Sequence, residues 1–326
     1  MKTRLLSEEN YTNEMQTRVL PRLEAVRKSG YFRPDAAEGG YTGELYYEIY
    51  PLPKPLGNIV ISHGFTENCV KYRELIYYFL EEGYQVFIMD HRGHGRSFRQ
   101  TGDYSLTHVD HFREYVRDFL CFVRTIVCPA AGDMPLILFG HSMGGGIGAA
   151  VLEAAPGLFE RAVLSSPMLE MNLGALPVWL AWLAAAAITV CGGAKKYVPG
   201  HHPYQGRDRF EDGCASGRAR FDYYENLKAE TVWMQNYGAS CRWVTECIAG
   251  AARARSRWAC RRVDCPVLVL QAEKDVFVTR RGEELFASRI RDGKCIMFPG
   301  SRHEIYRSEN AVLERYMNTI LDFLKK

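Results

Sequence analysis

Three residues set far apart in this chain of 326 residues have the types and order for acyl transfer: Ser142, Asp275 and His303. That chemistry needs a nucleophile, a base to take its proton, an acid to orient the base, and donors for the oxyanion that forms. Ser142 stands in Gly140-His141-Ser142-Met143-Gly144, a G-x-S-x-G pentapeptide directly after the apolar run 135–139. In that setting a strand ends, the chain turns sharply through the serine, and a helix begins. A Cβ at either flanking glycine would collide with the neighbouring strand and helix. The serine hydroxyl then projects above the sheet at a helix N-terminus, whose dipole favours developing negative charge. The bare pentapeptide recurs by chance in unrelated chains. Here the run Gly145-Gly146-Ile147-Gly148-Ala149-Ala150 follows it, small enough to pack a helix closely on a sheet.

The other two residues follow in the order acid, then histidine, each just past a predicted strand. Asp275 lies beyond the apolar run 265–271, and His303 lies beyond 295–298 in the loop Pro299-Gly300-Ser301-Arg302-His303. Glu273 is the rival acid, but it sits too close to the strand end. His201 and His202 fall in an inserted segment and read as surface or pocket-rim residues. The expected oxyanion donors are the backbone N–H groups of Met143, after the nucleophile, and of Phe65 in the turn His63-Gly64-Phe65. Gly64 lets that backbone approach a substrate, while His63 and Glu67 brace the loop. Asp90, Arg92 and His94 could be mistaken for a catalytic set or a metal site; with glycines among them they read as a loop-fixing hydrogen-bond network.

The elements that must position these residues alternate along the chain. Predicted strands cover 42–50, near the sheet edge, then 57–62, 84–89, 135–139, 161–167, 265–271 and 295–298. Predicted helices cover 72–82, 109–127, the stretch after the elbow, and 310–324. This alternation specifies an α/β fold with a mostly parallel, doubly wound sheet. Between Pro167 and about Arg262 the rhythm breaks. The expected division is a polar lead-in over 1–35, with a weak apolar face of Val19, Leu20, Leu23 and Val26; a core over 36–167 and 261–326; and a helical cap over 168–260.

A net charge of +3 is too small to argue for nucleic acid, and 47% hydrophobic with 24% charged residues is ordinary for a soluble globular chain. The start of the chain, Met1 to Gln16, is polar and lacks the apolar core of a signal peptide, so a cytoplasmic protein is expected. Ten cysteines are scattered without C-x-x-C pairs or metal-ligand spacing, which suits idle thiols in a reducing compartment and no structural metal.

The motifs His63-Gly64-Phe65-Thr66-Glu67, Asp90-His91-Arg92-Gly93-His94-Gly95-Arg96-Ser97 and Gly140-His141-Ser142-Met143-Gly144-Gly145, followed by the Asp275 and His303 loops, resemble the α/β-hydrolase fold. Within it they are similar to the branch of monoacylglycerol lipases and lysophospholipase L2-type enzymes grouped as serine aminopeptidase S33. The similarity runs from about Tyr41 to the C-terminus. In the inserted segment, 196–200 and 220–224 are similar to the cap of the lysophospholipase L2-like set. The resemblance implies ester hydrolysis through Ser142, Asp275 and His303 with no metal and no organic cofactor, on a lysophospholipid or monoacylglycerol.

The cap is the expected substrate reader. Its run 176–190 is apolar for about 15 residues, short of the roughly 20 that span a bilayer. It can line an acyl pocket through Trp179, Trp182 and Leu183, dip into a membrane surface, or serve as cap core. The stretch 242–262 carries Arg242, Arg253, Arg255, Arg257, Arg261 and Arg262 with Trp243 and Trp258 between them. A solvated helical face is the plain reading; peripheral attraction to an anionic membrane surface or a phosphate-bearing substrate is the sharper one. A short-chain carboxylesterase, or an aminopeptidase with Glu170, Glu225 or Glu230 holding the free amine, would use the same three residues. A non-catalytic binding protein on the same fold is disfavoured because all three positions are filled.

Overall fold

The structure is a computed structural model that describes residues 1, 3–34 and 43–325. The expected strand start at Thr42 and the 35/36 boundary lie outside the described residues. Among the described residues eight strands form one sheet: β1 (Lys28–Phe32), β2 (Leu45–Tyr50), β3 (Gly57–Ser62), β4 (Tyr84–Met89), β5 (Leu136–His141), β6 (Arg161–Ser165), β7 (Val267–Ala272) and β8 (Gly293–Phe298). Their order is β1-β2-β4-β3-β5-β6-β7-β8. Only the two pairings of β2 are antiparallel; every other pairing in this sheet is parallel.

Strands β3, β4, β5 and β7 are buried along their whole length. Parallel strands covered by helices on both faces need continuous apolar runs, which Ile59-Val60-Ile61 and Val267-Leu268-Val269-Leu270 supply. Alternate residues feed two cores. Val60, Leu138 and Val269 join one with the helices Phe112–Phe122 and Met143–Ala154. Ile61, Phe139 and Leu270 join the other with the helices Arg73–Glu81 and Asn310–Leu324.

The N-terminal stretch contributes more than its polarity suggests. Residues 11–24 are helical, with Tyr11, Met15, Val19 and Leu23 buried in the second core. Strand β1 then adds an antiparallel edge, where the sequence reading places no strand. Lys28-Ser29-Gly30 is exposed or half-buried, as an edge strand can be, so no alternation marks it.

Between β6 and β7 the helices Val178–Ile188, Arg218–Glu230 and Cys241–Ala254, in the segment expected to be the cap, interrupt the sheet. A two-residue pairing of Leu106–Thr107 with Gly238–Ala239 ties the cap to a core loop. Arg220 on the cap is fully buried and forks onto Glu74 of the core, its Nε at 2.9 Å from Oε2 and its Nη2 at 2.8 Å from Oε1. Among the described residues no helix is long and apolar enough to cross a membrane.

Candidate active site

Strand β5 ends at His141 and a helix begins at Met143, leaving Ser142 alone at the turn. Its φ of 52° is left-handed, a strained conformation for a residue with a side chain. The two elements approach so closely that a Cβ on Gly144 would overlap the Ser62 carbonyl, and one on Gly140 would come within 2.7 Å of the Gly144 oxygen. Backbone hydrogen bonds hold the strain in place. The Ser142 amide donates to the Ser165 carbonyl at 3.1 Å, and its own carbonyl accepts from Met168 at 2.8 Å and Gly146 at 3.0 Å.

The loops after β7 and β8 bring Asp275 and His303 to this turn. His303 Nε2 lies 2.7 Å from Ser142 Oγ, and its Nδ1 lies 2.7 Å from Asp275 Oδ2. The other oxygen of Asp275 accepts from the amides of Phe277 at 2.8 Å and Val278 at 3.1 Å. Burial opposes ionisation of Asp275, but the charge and hydrogen bond of His303, with those two amides, hold its carboxyl below the ordinary range. Ser166 Oγ donates to the His303 carbonyl at 2.9 Å and fixes the histidine loop. The rival acid Glu273 is used elsewhere, accepting from the Gly300 amide at 2.8 Å.

Opposite this set runs the loop after β3. Glu67 Oε2 accepts from the Gly64 amide at 2.6 Å and Tyr72 Oη at 2.5 Å, while Oε1 accepts from Tyr306 Oη at 2.8 Å. His63 donates from Nδ1 to the Gly64 carbonyl at 2.8 Å and accepts at Nε2 from the His91 amide at 2.8 Å. Both residues therefore stiffen the turn. Among the described residues the amides of Phe65 and Met143 find no acceptor. Asp90 accepts from the amides of Cys69 at 2.7 Å and Arg96 at 2.9 Å, and Arg92 forks onto Asp118 at 2.6 and 2.8 Å. His94 donates to the Arg92 carbonyl at 3.0 Å. These three fix their loop.

A cavity of about 620 Å³ opens over Ser142 and His303, with His201 and His202 on its lining. That volume suits a small-molecule ligand. Phe65, Met168, Met171, Trp243 and Phe277 supply its apolar wall. The Trp243 ring lies 4.4 Å from that of Phe65, and its Nε1 donates to Tyr115 Oη at 3.1 Å. Sequence reasoning saw Trp243 only as part of a basic stretch. The available signal was the inward spacing of Trp243, Val244, Cys247, Ile248 and Ala251 behind the N-cap Ser240.

The expectation for Trp179, Trp182 and Leu183 is corrected. They are 65%, 38% and 48% exposed and do not line the cavity. Their helix is apolar all round, so no periodicity could select its inner face; the small Ala185 is the residue it buries. Of the arginines of 242–262, Arg242 and Arg253 tie the inserted segment to the core, and Arg255 braces it internally. Arg242 Nε donates to the Asp110 carbonyl at 2.8 Å, Arg253 pairs with Glu153 at 3.0 Å, and Arg255 pairs with Glu170 at 2.8 Å.

A model of the family described as serine aminopeptidase, S33, matches residues 53–310. The chain belongs to the serine aminopeptidase S33 family. The resemblance read from its motifs is thereby met. This S33 chain is similar to lysophospholipase L2 of Escherichia coli strain K12, at 29% identity over 297 residues spanning 82% of this chain and 80% of that one. It is similar to monoglyceride lipase of Mus musculus, at 30% identity over 277 residues spanning 83% and 82%. Among solved structures, a thermostable carboxyl esterase from Bacillus coagulans matches the S33 chain with a TM-score of 0.73 at 18% identity, over 92% of this chain and 98% of that one. That likeness concerns the α/β-hydrolase fold.

Proposed function

We propose that this S33-family chain is a carboxylic ester hydrolase that removes a single acyl chain from a lysophospholipid or a monoacylglycerol through an acyl-enzyme. The observation that carries the reading is the pair of 2.7 Å contacts joining Ser142, His303 and Asp275. His303 Nε2 takes the Ser142 proton as Oγ attacks the ester carbonyl, and Asp275 holds the imidazolium that results. The tetrahedral oxyanion rests on the amides of Phe65 and Met143. His303 returns the proton to the departing alcohol; water, deprotonated by the same nitrogen, then releases the fatty acid and restores Ser142. The acyl ester class is supported by the E. coli and mouse relatives, named for lysophospholipid and monoglyceride.

Ser142→Ala is expected to abolish ester turnover and labelling by a fluorophosphonate while leaving the urea unfolding curve in place. Unchanged turnover would end the assignment. An aminopeptidase is the second reading, favoured by Glu225 and Asp208 on the cavity lining. Glu170 is tied to Arg255 and Glu230 lies off the cavity. An aminoacyl anilide run beside the esters separates the two. The exposed Trp179, Trp182 and Leu183 support peripheral contact with a membrane surface from the cytoplasmic side.

A further inference from the structure

We infer that Lys228 forms an oxyanion subsite in the cavity and that the substrate carries a phosphoryl group in its head. The inference rests on the ester hydrolase reading and narrows its substrate. Lys228 sits on the cap helix Arg218–Glu230, lines the same cavity as Ser142, and is only 5% exposed. Among the described residues its ammonium makes no hydrogen bond. Two carboxylates act on it and neither hydrogen-bonds to it: Asp208 Oδ2 is 3.9 Å away, beyond hydrogen-bond length, and Glu225 lies farther off. All three N–H donors are therefore free to meet a ligand. The rings of Tyr204 and Tyr237 lie 5.0 and 5.1 Å from the nitrogen and favour a cation there.

The other cations of the cavity are engaged. Lys71 pairs with Glu67 at 3.0 Å and with Glu304, while Arg307 pairs with Glu304 and donates to the Arg220 carbonyl at 2.6 Å. A buried ammonium without a hydrogen-bonded partner costs free energy until an anion reaches it. Burial accordingly lowers the Lys228 pKa, against the pull of Glu225 and Asp208. A monoacylglycerol head offers only hydroxyls, whereas a phosphoryl head offers ionised oxygens for a charge-assisted bond. Asp208 and Glu225 also line the cavity and lie near Lys228, so a head with an ammonium beyond its phosphate finds opposite charge for both groups.

The test compares kcat/KM for oleoyl lysophosphatidylethanolamine and monooleoylglycerol. The ratio of the first to the second is expected to fall at least tenfold in Lys228→Met and to survive in Lys228→Arg. An unchanged ratio in Lys228→Met, or an equal fall in both variants, overturns the subsite. Should Lys228→Met fail to fold, competition on the wild type decides. Glycerol 3-phosphate should inhibit hydrolysis of p-nitrophenyl butyrate better than either glycerol or inorganic phosphate. Inhibition by inorganic phosphate equal to that by glycerol 3-phosphate would mark a free-phosphate site and overturn the head-group assignment. If the wild type cleaves none of these esters, the hydrolase reading falls. Calorimetric titration of glycerol 3-phosphate into wild type and Lys228→Arg, with binding in both expected and none in either overturning, still judges the subsite.

Discussion

Glu283→Gln should make the protein progressively more stable than wild type as pH rises. Glu283 lies on the helix Arg280–Arg289, is 2% exposed, and uses one oxygen to accept from Gln271 Nε2 at 3.0 Å. Its other oxygen has no partner among the described residues. Burial, with the negative charges of Asp275 and Glu284, outweighs the Gln271 bond and Arg280 and pushes its pKa from an ordinary 4.5 up to about 9. Between those two values the native chain holds one proton that the unfolded chain has lost, so stability falls as pH rises. The slope is 2.303RT per proton, about 1.4 kcal/mol per pH unit, as long as the pH stays below the folded value. The stabilisation is complete below the unfolded pKa and is gone once pH has climbed through about 9. From pH 6 to pH 8 this one group costs about 3 kcal/mol. Glutamine keeps the shape and the acceptor for Gln271 but binds no proton. Urea unfolding at pH 6, 7 and 8 should therefore show the variant gaining about 3 kcal/mol on wild type across that range, since the other titrating groups are common to both chains. Parallel stability profiles would refute the reasoning.

Three further outcomes are expected. Asp275→Asn should lower kcat on the order of 10³–10⁴-fold by presenting His303 in the wrong tautomer, with KM little changed. Because the folded Asp275 pKa is depressed, that variant should also lose stability at neutral pH. The deficit should vanish as wild type is acidified through its own folded value, seen as converging urea midpoints. Gly144→Ala places a Cβ into the Ser62 carbonyl, and should cost about 3 kcal/mol or more, read from the same unfolding curves; a midpoint like wild type would contradict the close approach. Replacing Trp179, Trp182 and Leu183 together by serine should abolish co-sedimentation with phosphatidylglycerol vesicles while moving Tm little. Retained sedimentation would remove the membrane contact from the reading.

Much of the sheet was legible because parallel strands announce themselves as short apolar runs ended by glycine or charge. Runs 57–62 and 84–89 coincide with β3 and β4, and the strands ending near the elbow and the histidine loop start within two residues of their predicted places. The proximity of Ser142, Asp275 and His303 was legible from order alone, since each follows a strand of one parallel sheet. What escaped had no pattern to read. Strand β1 is polar and at an edge. The helix Arg280–Arg289 buries only Phe286 and Ala287 among its apolar residues, beside Gly282 and Glu283. Lys228 reaches the cavity from a cap helix whose burial follows no clean apolar stripe, with Arg220, Glu225 and Lys228 buried beside Phe221 and Tyr224. Apolar periodicity finds faces that meet oil; it is blind to faces that meet other charges.

That blindness matters because buried charge joins the two sides of the site. Glu67 holds the Gly64 amide beside Phe65, and Lys71 links it to Glu304, the residue after His303. Burial resists ionisation of Glu67, yet Lys71, His141 and the hydroxyl of Tyr72 keep its carboxyl well below the ordinary range. From Glu304 the chain of ion pairs runs to Arg307, whose guanidinium donates to the Arg220 carbonyl on the cap. Arg220 in turn forks onto Glu74, which also accepts from Tyr11 of the N-terminal helix at 2.8 Å. Removing one member of such a buried set leaves its partner charged and unpaired, at a cost of about 3–5 kcal/mol. A packed apolar contact would tolerate small slippage, whereas these pairs fix distance and direction together. The proposed oxyanion donors, the histidine loop and the cap are thus set in register by the same few side chains, and the N-terminal segment, polar as it reads, is part of that register.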